Sequence, residues 1–353
     1  MAVLIGYVAP AQTARKYSNE FLKIGVGARA AALGNAYSAL VDDATAGFWN
    51  PAALTGLEKG YEIALMHSEQ FAGVVKYDYG TFATRVDAQS AFALTVVRLG
   101  VDDIPNTLNF RDGNSFNYAR ITAFSVADLA LLVSYARKLS AVPGLSVGGN
   151  FKLINRTVGQ FATAWGFGLD VGAHYVRGPW RLGLVLVDAT STFNLWSFNT
   201  EPVEATFLAT GNELPVNSIE LTLPSARLGV ARRFGDPAKL AINAALEAEF
   251  TFDGQRNTLV GSDAVSVDPK LGLEGVFKNL VSVRLGVYNL QYVETVAGGR
   301  QLELAPSAGV GLRLPLKKYT LQLDYALTNL SGFDDNLASN LVSVRFGFDT
   351  LNK

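Results

Sequence analysis

The sequence has no cysteine, only two histidines and few charged residues for its 353-residue length. Without cysteine there are no disulfides and no thiolate chemistry, which also suits a protein that crosses the oxidising periplasm. His67 and His174 have no companion ligands, so neither favours a metal site or a Ser-His-Asp triad. Charged residues make up 17% of the chain, below the roughly 25% usual for soluble globular proteins.

Long apolar runs and enzyme signatures are also missing. No stretch approaches the roughly 18 apolar residues of a transmembrane helix. No G-x-S-x-G, H-E-x-x-H or Walker sequence occurs, and Glu247 and Glu249 fit a solvated wall better than an acid/base pair. Residues 25–30 spell G-x-G-x-x-A, but no alternation of strands and helices follows to build a dinucleotide fold. We therefore predict no catalytic residue, no metal and no cofactor, and the net charge of -1 gives no reason to expect nucleic acid.

What the sequence does have is a change of polarity at every second residue, repeated in segment after segment from residue 61 onward. In residues 240–252 the even positions are apolar, whereas Asn243, Glu247, Glu249 and Thr251 hold odd positions. Because successive side chains of a strand point to opposite faces, such a segment has one oily face and one wet face. In a soluble sandwich the oily face would be core, and in an outer-membrane barrel it would face lipid.

The connections between these segments alternate between short and long. Six tight turns are predicted near residues 87–88, 140–144, 177–179, 235–237, 278–279 and 315–318. Seven longer polar loops are predicted near residues 70, 101–120, 157–160, 190–217, 253–264, 291–300 and 329–338. This order predicts an up-and-down barrel of fourteen strands with short periplasmic turns. Aromatic residues such as Tyr77 and Tyr79 are expected in the girdles at the membrane interfaces.

The alternative is a soluble β-sandwich with half-buried strands. Soluble strands average five or six residues and outer-membrane strands about nine to eleven, and segments such as 162–175 belong to the longer class. Many polar residues also fall on the inner face, where a dry sandwich core would not tolerate them. These are Asp128, Asn150, Lys152, Asp170, Glu247, Glu249, Arg284, Asp324 and Arg345. We therefore predict an all-β, fourteen-stranded transmembrane barrel in the outer membrane, in contact with its lipids.

The N-terminal part of the chain differs from the rest. Residues 1–11 are apolar and end in Ala9-Pro10-Ala11, which is typical of the last part of a secretory signal peptide. Residues 27–41 repeat apolar side chains at three- and four-residue steps, which predicts an amphipathic helix of about four turns. Residues 49–52, Trp-Asn-Pro-Ala, then predict a tight turn, because proline fixes φ and asparagine tolerates unusual backbone angles.

This N-terminal part resembles the PorV/PorQ-like outer-membrane proteins, the Bacteroidota relatives of the FadL long-chain fatty-acid transporters. The resemblance rests on Ala-Arg at 28–29, Leu-Gly-x-Ala at 33–36, Asp-Asp-Ala at 42–44 and Trp-Asn-Pro-Ala at 49–52. Stretches at 124–130, 165–172 and 321–326 look similar too. The resemblance implies a fourteen-stranded barrel with an N-terminal helical plug inside it. The matching plug-motif residues are Arg29, Leu33, Gly34, Asp42, Asp43, Trp49, Asn50, Pro51 and Ala52.

Three parts of the chain follow from this interpretation. Residues 1–11 are the remnant of a signal peptide, residues 12–59 are the plug segment with its amphipathic helix, and residues 60–353 are the barrel. Within the plug, Arg29 is expected to pair with a carboxylate on the inner face of the wall.

The resemblance also carries an expected function. Its best-known members serve type IX secretion, so we predict a non-enzymatic barrel that binds a translocon barrel or the C-terminal domains of secreted cargo. The alternative is a FadL-like transporter of a hydrophobic ligand, with uptake through the barrel wall. A transporter should have a dry apolar pocket above the plug and a kinked, glycine-interrupted wall strand.

An adaptor for secretion should instead expose an apolar patch outside the lipid. The predicted loop at residues 190–217 is the best candidate for such a patch, because it holds more apolar side chains than a solvated loop needs. Its candidate residues are Phe193, Leu195, Trp196 and Phe198. They are expected to form either a lid over the barrel mouth or a surface for a partner.

Overall fold

The computed structural model describes residues 18–70, 73–112, 115–294, 298–328 and 338–349, which form a closed antiparallel barrel. The strand at residues 61–70 closes the barrel against the strand at residues 339–348, from the pair Tyr61↔Phe348 to the pair Glu69↔Asn340. The fourteen strands of the described residues are β1 Tyr61–Gln70, β2 Val75–Arg85, β3 Ser90–Asn106, β4 Thr122–Lys138, β5 Leu145–Val158, β6 Ala162–Arg177, β7 Trp180–Val187 continued by Thr192–Phe198, β8 Ser218–Thr222 continued by Ser225–Asp236, β9 Leu240–Thr251, β10 Ser266–Phe277, β11 Val281–Glu294, β12 Arg300–Leu316, β13 Tyr319–Thr328 and β14 Ser339–Phe348.

The two faces of the wall differ as the alternating sequence predicts. On β9, Leu240, Ile242 and Leu246 are 57%, 47% and 47% exposed on the outside, whereas Asn243 and Glu247 are 2% and 1% exposed in the lumen. A closed barrel with an apolar outer face satisfies every backbone group in lipid, which an open sheet does not. The chain is therefore an outer-membrane β-barrel, and the prediction of fourteen strands is confirmed. In the described part of the chain, no helix is long and apolar enough to cross a membrane.

The short connections also lie where the sequence places them. All six predicted tight turns join consecutive strands, for example Gly178 and Pro179 between β6 and β7. One detail was wrong. Tyr61 stacks on Phe348 at the periplasmic end of the outer face, but Tyr77 and Tyr79, expected in a girdle, are buried in the lumen. Odd-numbered positions of β2 point inward, so these two tyrosines pack on the plug side of the wall.

The segment before β1 fills the lumen as a plug. It contains α1 Ala28–Ala32, α2 Ala46–Trp49, and 3-10 turns at Glu20–Leu22 and Pro51–Gly56. Its apolar side chains are the centre of the buried core. The plug continues without a break through residues 57–60 into β1.

The predicted four-turn helix at residues 27–41 was wrong in extent. The helix ends after Ala32, because Gly34 and Asn35 both adopt a left-handed φ of 61°. Leu33, Tyr37 and Leu40 remain buried, so the three- and four-residue spacing reflects packing against a wall that surrounds the plug. Apolar residues at three- and four-residue steps usually indicate one face of a helix. Inside a barrel they do not, because the wall surrounds the segment on all sides.

The remaining described elements lie in the long outer connections. They are α3 Glu204–Thr210 between β7 and β8, a small hairpin of Arg111–Asp112 with Ser115–Phe116, a 3-10 turn at Tyr118–Arg120, and a short strand Val260–Gly261. The predicted signal-peptide remnant at residues 1–11 lies outside the described residues.

Candidate functional site in the plugged lumen

Arg29 on α1 is the main polar link between the plug and the wall. Its Nε and Nη2 donate to the two carboxylate oxygens of Glu274 on β10, each at 2.9 Å. Its Nη1 donates to Asp42 at 2.8 Å and to the Tyr37 hydroxyl at 3.1 Å. The expected partner on the inner face is thus Glu274, which also accepts from Arg284 at 2.8 Å. A two-pronged pairing of this kind fixes direction as well as distance.

The acidic doublet at residues 42 and 43 completes this network. Asp42 accepts from Arg181 on β7 at 3.0 Å, and Asp43 lies 2.6 Å from Arg345 on β14. Burial raises the pKa of Asp42, but the guanidinium groups of Arg29 and Arg181 outweigh burial and hold that pKa well below its usual range. Both carboxylates are therefore engaged by arginines, which leaves them poorly suited to calcium.

The turn at residues 49–52 locks the lower plug to β6. The side-chain amide of Asn50 donates to the carbonyl oxygens of Ser38 and Ala173, both at 3.1 Å, and its oxygen accepts from the Ala52 amide at 3.2 Å. The indole of Trp49 donates to the Val26 carbonyl at 2.9 Å. One asparagine thus joins two parts of the plug to the wall.

Glycines on β10 and β11 let the plug backbone touch the wall. A Cβ added at Gly272 would lie 2.8 Å from the Leu33 carbonyl oxygen, and one at Gly286 would lie 2.1 Å from the Gly34 amide nitrogen. The Gly34 amide also donates to Ser307 on β12 at 3.1 Å. Leu33 and Gly34 of the plug motif therefore occupy the closest approach of the plug backbone to the wall in this region.

β7 is interrupted halfway along. Leu186 lies opposite Val171 and Phe193 opposite Phe167, so six residues of β7 (187–192) face only three of β6 (168–170). Asp188 and Ser191 adopt left-handed φ values of 54° and 62°. Regular pairing between β6 and β7 stops across this stretch, where the Ala189 amide donates to the Leu169 carbonyl at 2.7 Å.

Side chains close the interruption on the lumen side. Lys152 on β5 lies 2.8 Å from Asp170 on β6 and forms a second, shorter contact with Asp188. Thr192 also donates to Asp188, and Asn150 donates to Asp170 at 3.1 Å. Of these residues only the lumen-facing character of Lys152, Asn150 and Asp170 was predictable. The break itself was missed, although its signal was the polar run Asp188-Ala-Thr-Ser191 inside an apolar segment.

The predicted loop at residues 190–217 is partly strand, so the loop boundary was wrong. Phe193, Leu195, Trp196 and Phe198 all belong to the upper half of β7. Phe193 and Leu195 face outward at 38% and 50% exposure. Their alternation with polar neighbours is that of a half-buried strand, which the sequence interpretation overlooked because of the break before it.

The other two candidate residues turn toward the barrel mouth. The Trp196 indole donates to Glu220 at 2.7 Å, lies under the Arg156 guanidinium at 5.2 Å and stacks on Phe198. The four residues therefore do not form one patch: two face lipid and two face inward at the outer rim. The strongly exposed apolar side chains of the connection are instead Leu208 and Val216.

Two cavities flank the plug, and charged side chains line both of them alongside apolar ones. The periplasmic cavity, of about 960 Å³, is lined by arginines and lysines, including Arg29, Arg233 and Arg345. The outer cavity, of about 520 Å³, lies above the plug and is lined by both acidic and basic side chains. The described residues thus do not form the dry apolar pocket that a transporter was expected to have above the plug. A wall strand is interrupted, as expected, but the interrupted stretch of β7 (residues 187–192) contains no glycine.

Comparisons with known proteins give a likeness of structure. No protein-family profile and no curated protein matches the chain. The fold matches the CymD monoaromatic hydrocarbon channel at 14% identity and a TM-score of 0.53, over 92% of this chain and 97% of that one. It matches the Ralstonia pickettii toluene transporter TbuX at 14% and 0.54, over 91% and 97%. A Pseudomonas aeruginosa FadL homologue matches at 12% and 0.53, over 92% and 98%.

A plugged, fourteen-stranded outer-membrane barrel is the class that fold and lumen define. Within that class the chain has the FadL-like barrel fold. The solved structures just named are described as a channel, a transporter and a FadL homologue. None of these likenesses supports a PorV/PorQ identity or a link to type IX secretion, and both remain predictions.

Proposed function

We propose that this protein carries small hydrophobic molecules across the outer membrane and that the interruption of β7 is their passage through the wall. The observation that carries the proposal is the break itself, where six residues of β7 face three of β6. The fold adds support, because the similar structures include a monoaromatic hydrocarbon channel and a toluene transporter.

The wall at the interruption of β7 is closed by contacts that could open more easily than a regular strand pair. Regular strand pairs are joined by backbone hydrogen bonds that must be exchanged together if they are to part. Across residues 187–192 the wall is closed largely by the side chains of Lys152, Asp170, Asp188 and Thr192. Side chains can change rotamer on a much faster timescale than strands can separate.

The polar lumen favours a route through the wall over a route along the barrel axis. An apolar molecule moving straight down the axis would have to pass the charged outer cavity, the plug and the arginine-lined periplasmic cavity. Leaving water for lipid, by contrast, is favourable for apolar surface at about 25 cal/mol per Å².

A pair of cysteines can test the passage. A Cβ added at Gly168 would lie 3.1 Å from the Cβ of Thr192, close to the roughly 3.5–4.5 Å that a disulfide spans. The chain has no cysteine of its own, so Gly168→Cys with Thr192→Cys would join β6 to β7 across the break. The matched control is Thr81→Cys with Thr95→Cys, which joins the uninterrupted strands β2 and β3 at directly opposed positions.

Uptake of labelled toluene by cells lacking other hydrophobic-uptake barrels is the readout. We expect the wild-type protein to raise the initial rate, the β6–β7 disulfide to abolish that gain, and a reductant to restore it. The β2–β3 control should behave like wild type in both states. A wild-type rate equal to that of cells without the protein, or a locked variant as fast as wild type, would overturn the proposal.

A role in type IX secretion is the second candidate, and the exposed apolar residues of the β7–β8 connection are the observation that favours it. Leu208 and Val216 are 69% and 77% exposed, which is typical of a contact surface when several such residues adjoin. Replacing both with serine should leave the barrel folded and should sharply reduce co-purification of a translocon barrel from native membranes. Unchanged co-purification, or no such partner at all, would remove this candidate.

A further inference from the structure

The outer cavity above the plug is lined by residues with buried polar atoms that have no hydrogen-bond partner among the described residues. The Oε1 of Glu249, the Oγ1 of Thr251 and the Oδ1 of Asp268 are all buried without a hydrogen bond in the described structure. Glu249 and Thr251 are each only 7% exposed. All three residues line the same cavity of about 520 Å³. Unpartnered buried polar groups are rare in folded proteins and require an explanation.

The two carboxylates among these residues both lie against the amine of Lys270. The other oxygen of Glu249 accepts from Lys270 at 2.5 Å, and the other oxygen of Asp268 lies 3.8 Å from the same amine. On the cavity floor, the side-chain amide of Asn35 donates to the Ile24 carbonyl at 3.3 Å, while its oxygen is also unpartnered. The acceptors are therefore held in place by neighbours and not merely left over at a loose surface.

The hydrogen-bonding properties of these atoms restrict the chemical class of ligand that the cavity can bind. Carboxylate and amide oxygens only accept hydrogen bonds, and the Thr251 hydroxyl can accept or donate, so the cavity calls for a ligand rich in donors. Its lining carries three acidic side chains, Glu20, Glu249 and Asp268, and three basic ones, Lys23, Arg256 and Lys270. Because three negative and three positive charges cancel, the cavity does not favour a strongly charged ligand.

A neutral polyol meets these requirements, because each of its hydroxyl groups both donates and accepts. The lining contains carboxylates and side-chain amides as well as lysine and arginine, so both donors and acceptors are available to such hydroxyl groups. Tyr288 adds an aromatic side chain to the lining. The cavity volume of about 520 Å³ falls within the roughly 300–1,000 Å³ typical of small-molecule sites.

We propose that the outer cavity is a binding site for a neutral carbohydrate, held by Glu249, Thr251 and Asp268. The site is separate from the wall passage in β7 and does not depend on it, since it is built from β9, β10 and the top of the plug. The sugar can reach it as a free saccharide or as the sugar portion of a lipopolysaccharide in the outer leaflet. The two sources share the hydroxyl chemistry and are separated by experiment.

Thr251→Val is the sharpest variant, because it removes an unpartnered hydroxyl and keeps the shape of the side chain. The melting temperature should stay the same or rise, since no internal hydrogen bond is lost. The matched control is Thr95→Val, whose hydroxyl lies 2.7 Å from that of Thr81 away from the cavity. Asp268→Asn is a second variant, which turns an acceptor oxygen into a donor without a change of size.

Binding would be measured by titration calorimetry in a polyoxyethylene detergent, because maltoside detergents carry a competing sugar. Glucose, N-acetylglucosamine and maltose are the free probes, purified lipopolysaccharide is the second arm, and choline is the charged comparison. We expect one sugar-bearing probe to bind wild type and the Thr95→Val control equally. Thr251→Val should bind it about fivefold to tenfold more weakly and Asp268→Asn at least tenfold more weakly.

Each result of the binding experiment either supports or overturns the carbohydrate site. Binding of a free saccharide that both cavity variants weaken supports the proposal with a soluble ligand, and binding of lipopolysaccharide alone supports it with a lipid-borne one. Binding of no sugar-bearing probe, equal binding by all variants, or binding of choline alone would overturn it. The unpartnered oxygens would then be satisfied by water or by a cation. Toluene uptake that fails while sugar binds would refute the wall passage and leave this site standing.

Discussion

Replacing Arg29 with methionine is the most direct perturbation of the plug. Arg29 is the plug side chain that pairs in two prongs with Glu274 on β10, with both contacts at 2.9 Å. Its side chain is 12% exposed and that of Glu274 is 1% exposed. Methionine keeps much of the length and apolar contact of the arginine stem, so the change isolates the charge and its hydrogen bonds.

The size of the expected destabilisation depends on the hydrogen bonds that Glu274 retains in the variant. Removing one partner of a buried ion pair usually costs about 3–5 kcal/mol, because a buried charge loses its compensation. Glu274 would still accept from Arg284 and from Asn243, each at 2.8 Å, so we expect the lower end, about 3 kcal/mol. That corresponds to a rise on the order of a hundredfold in the fraction of molecules with an undocked plug.

Limited proteolysis from the periplasmic side of outer-membrane vesicles measures this fraction. When a segment opens and closes faster than it is cut, the cleavage rate follows the open population. The plug of Arg29→Met should therefore be cleaved on the order of a hundredfold faster than that of wild type. The barrel should still migrate as a folded species on an unheated gel.

Lys59→Met is the matched control. Lys59 pairs with Asp349 at 2.9 Å, but these side chains are 21% and 55% exposed, and such surface pairs contribute about 0–1 kcal/mol. Its plug should resist protease nearly as well as wild type. A plug in Arg29→Met that is as resistant as in wild type, or equal sensitivity in both variants, would refute the assignment of Arg29 as the main link.

Three further predictions concern the wall, the closest contact and pH. Leu246→Arg, in the middle of the lipid-facing row of β9, should lower the free energy of unfolding by about 2–4 kcal/mol; urea unfolding in lipid vesicles measures this, and an unchanged midpoint would contradict the assigned outer face. Gly286→Ala should speed plug cleavage, because the added Cβ would lie 2.1 Å from the Gly34 amide nitrogen. Gly275→Ala is the control and should not speed it, because the nearest neighbour of its Cβ would be 3.9 Å away. Equal cleavage rates in the two variants would contradict the close contact between plug and wall. Because the pKa of Asp42 is held down in the folded protein, its contribution is fully present above its unfolded pKa of about 3.9 and is lost only as pH falls through the lower folded value. The part of plug protection that Asp42 supplies should therefore be constant from about pH 8 to pH 5, so a loss of that part near pH 6 would contradict the assigned pairing.

The barrel could be predicted from the sequence because the alternation of polar and apolar residues is a local property of each strand. The alternation in residues 240–252 requires no knowledge of neighbouring strands, and each turn ends one strand and begins the next. That is why the number of strands and the positions of the six turns agree with the structure. The alternation is interrupted from Asp188 to Ser191. The continuation of β7 beyond this run was therefore not recognised, and Phe193 and Leu195 were placed in a loop.

The contents of the lumen were less predictable, because their partners are distant in sequence. The charge of Arg29 predicted a carboxylate partner, but the choice of Glu274 depends on the register of β10 relative to a plug 245 residues earlier. The unpartnered atoms of Glu249 and Asp268 depend on the geometry of several strands at once. Likewise the plug helix was overestimated, since a chain enclosed on all sides repeats apolar residues without being helical.

The contacts of the plug tie its docking to the order in which the chain is made. The plug is synthesised before every strand, yet the Ala28 amide donates to Ser343 on β14, 315 residues later, and the Gly34 amide to Ser307, 273 residues later. Contacts over such separations form late in folding. The plug is made ahead of the strands but can complete these contacts only after β12 and β14 have joined the barrel. We therefore expect a barrel that has not closed to leave its plug without these contacts and open to periplasmic proteases.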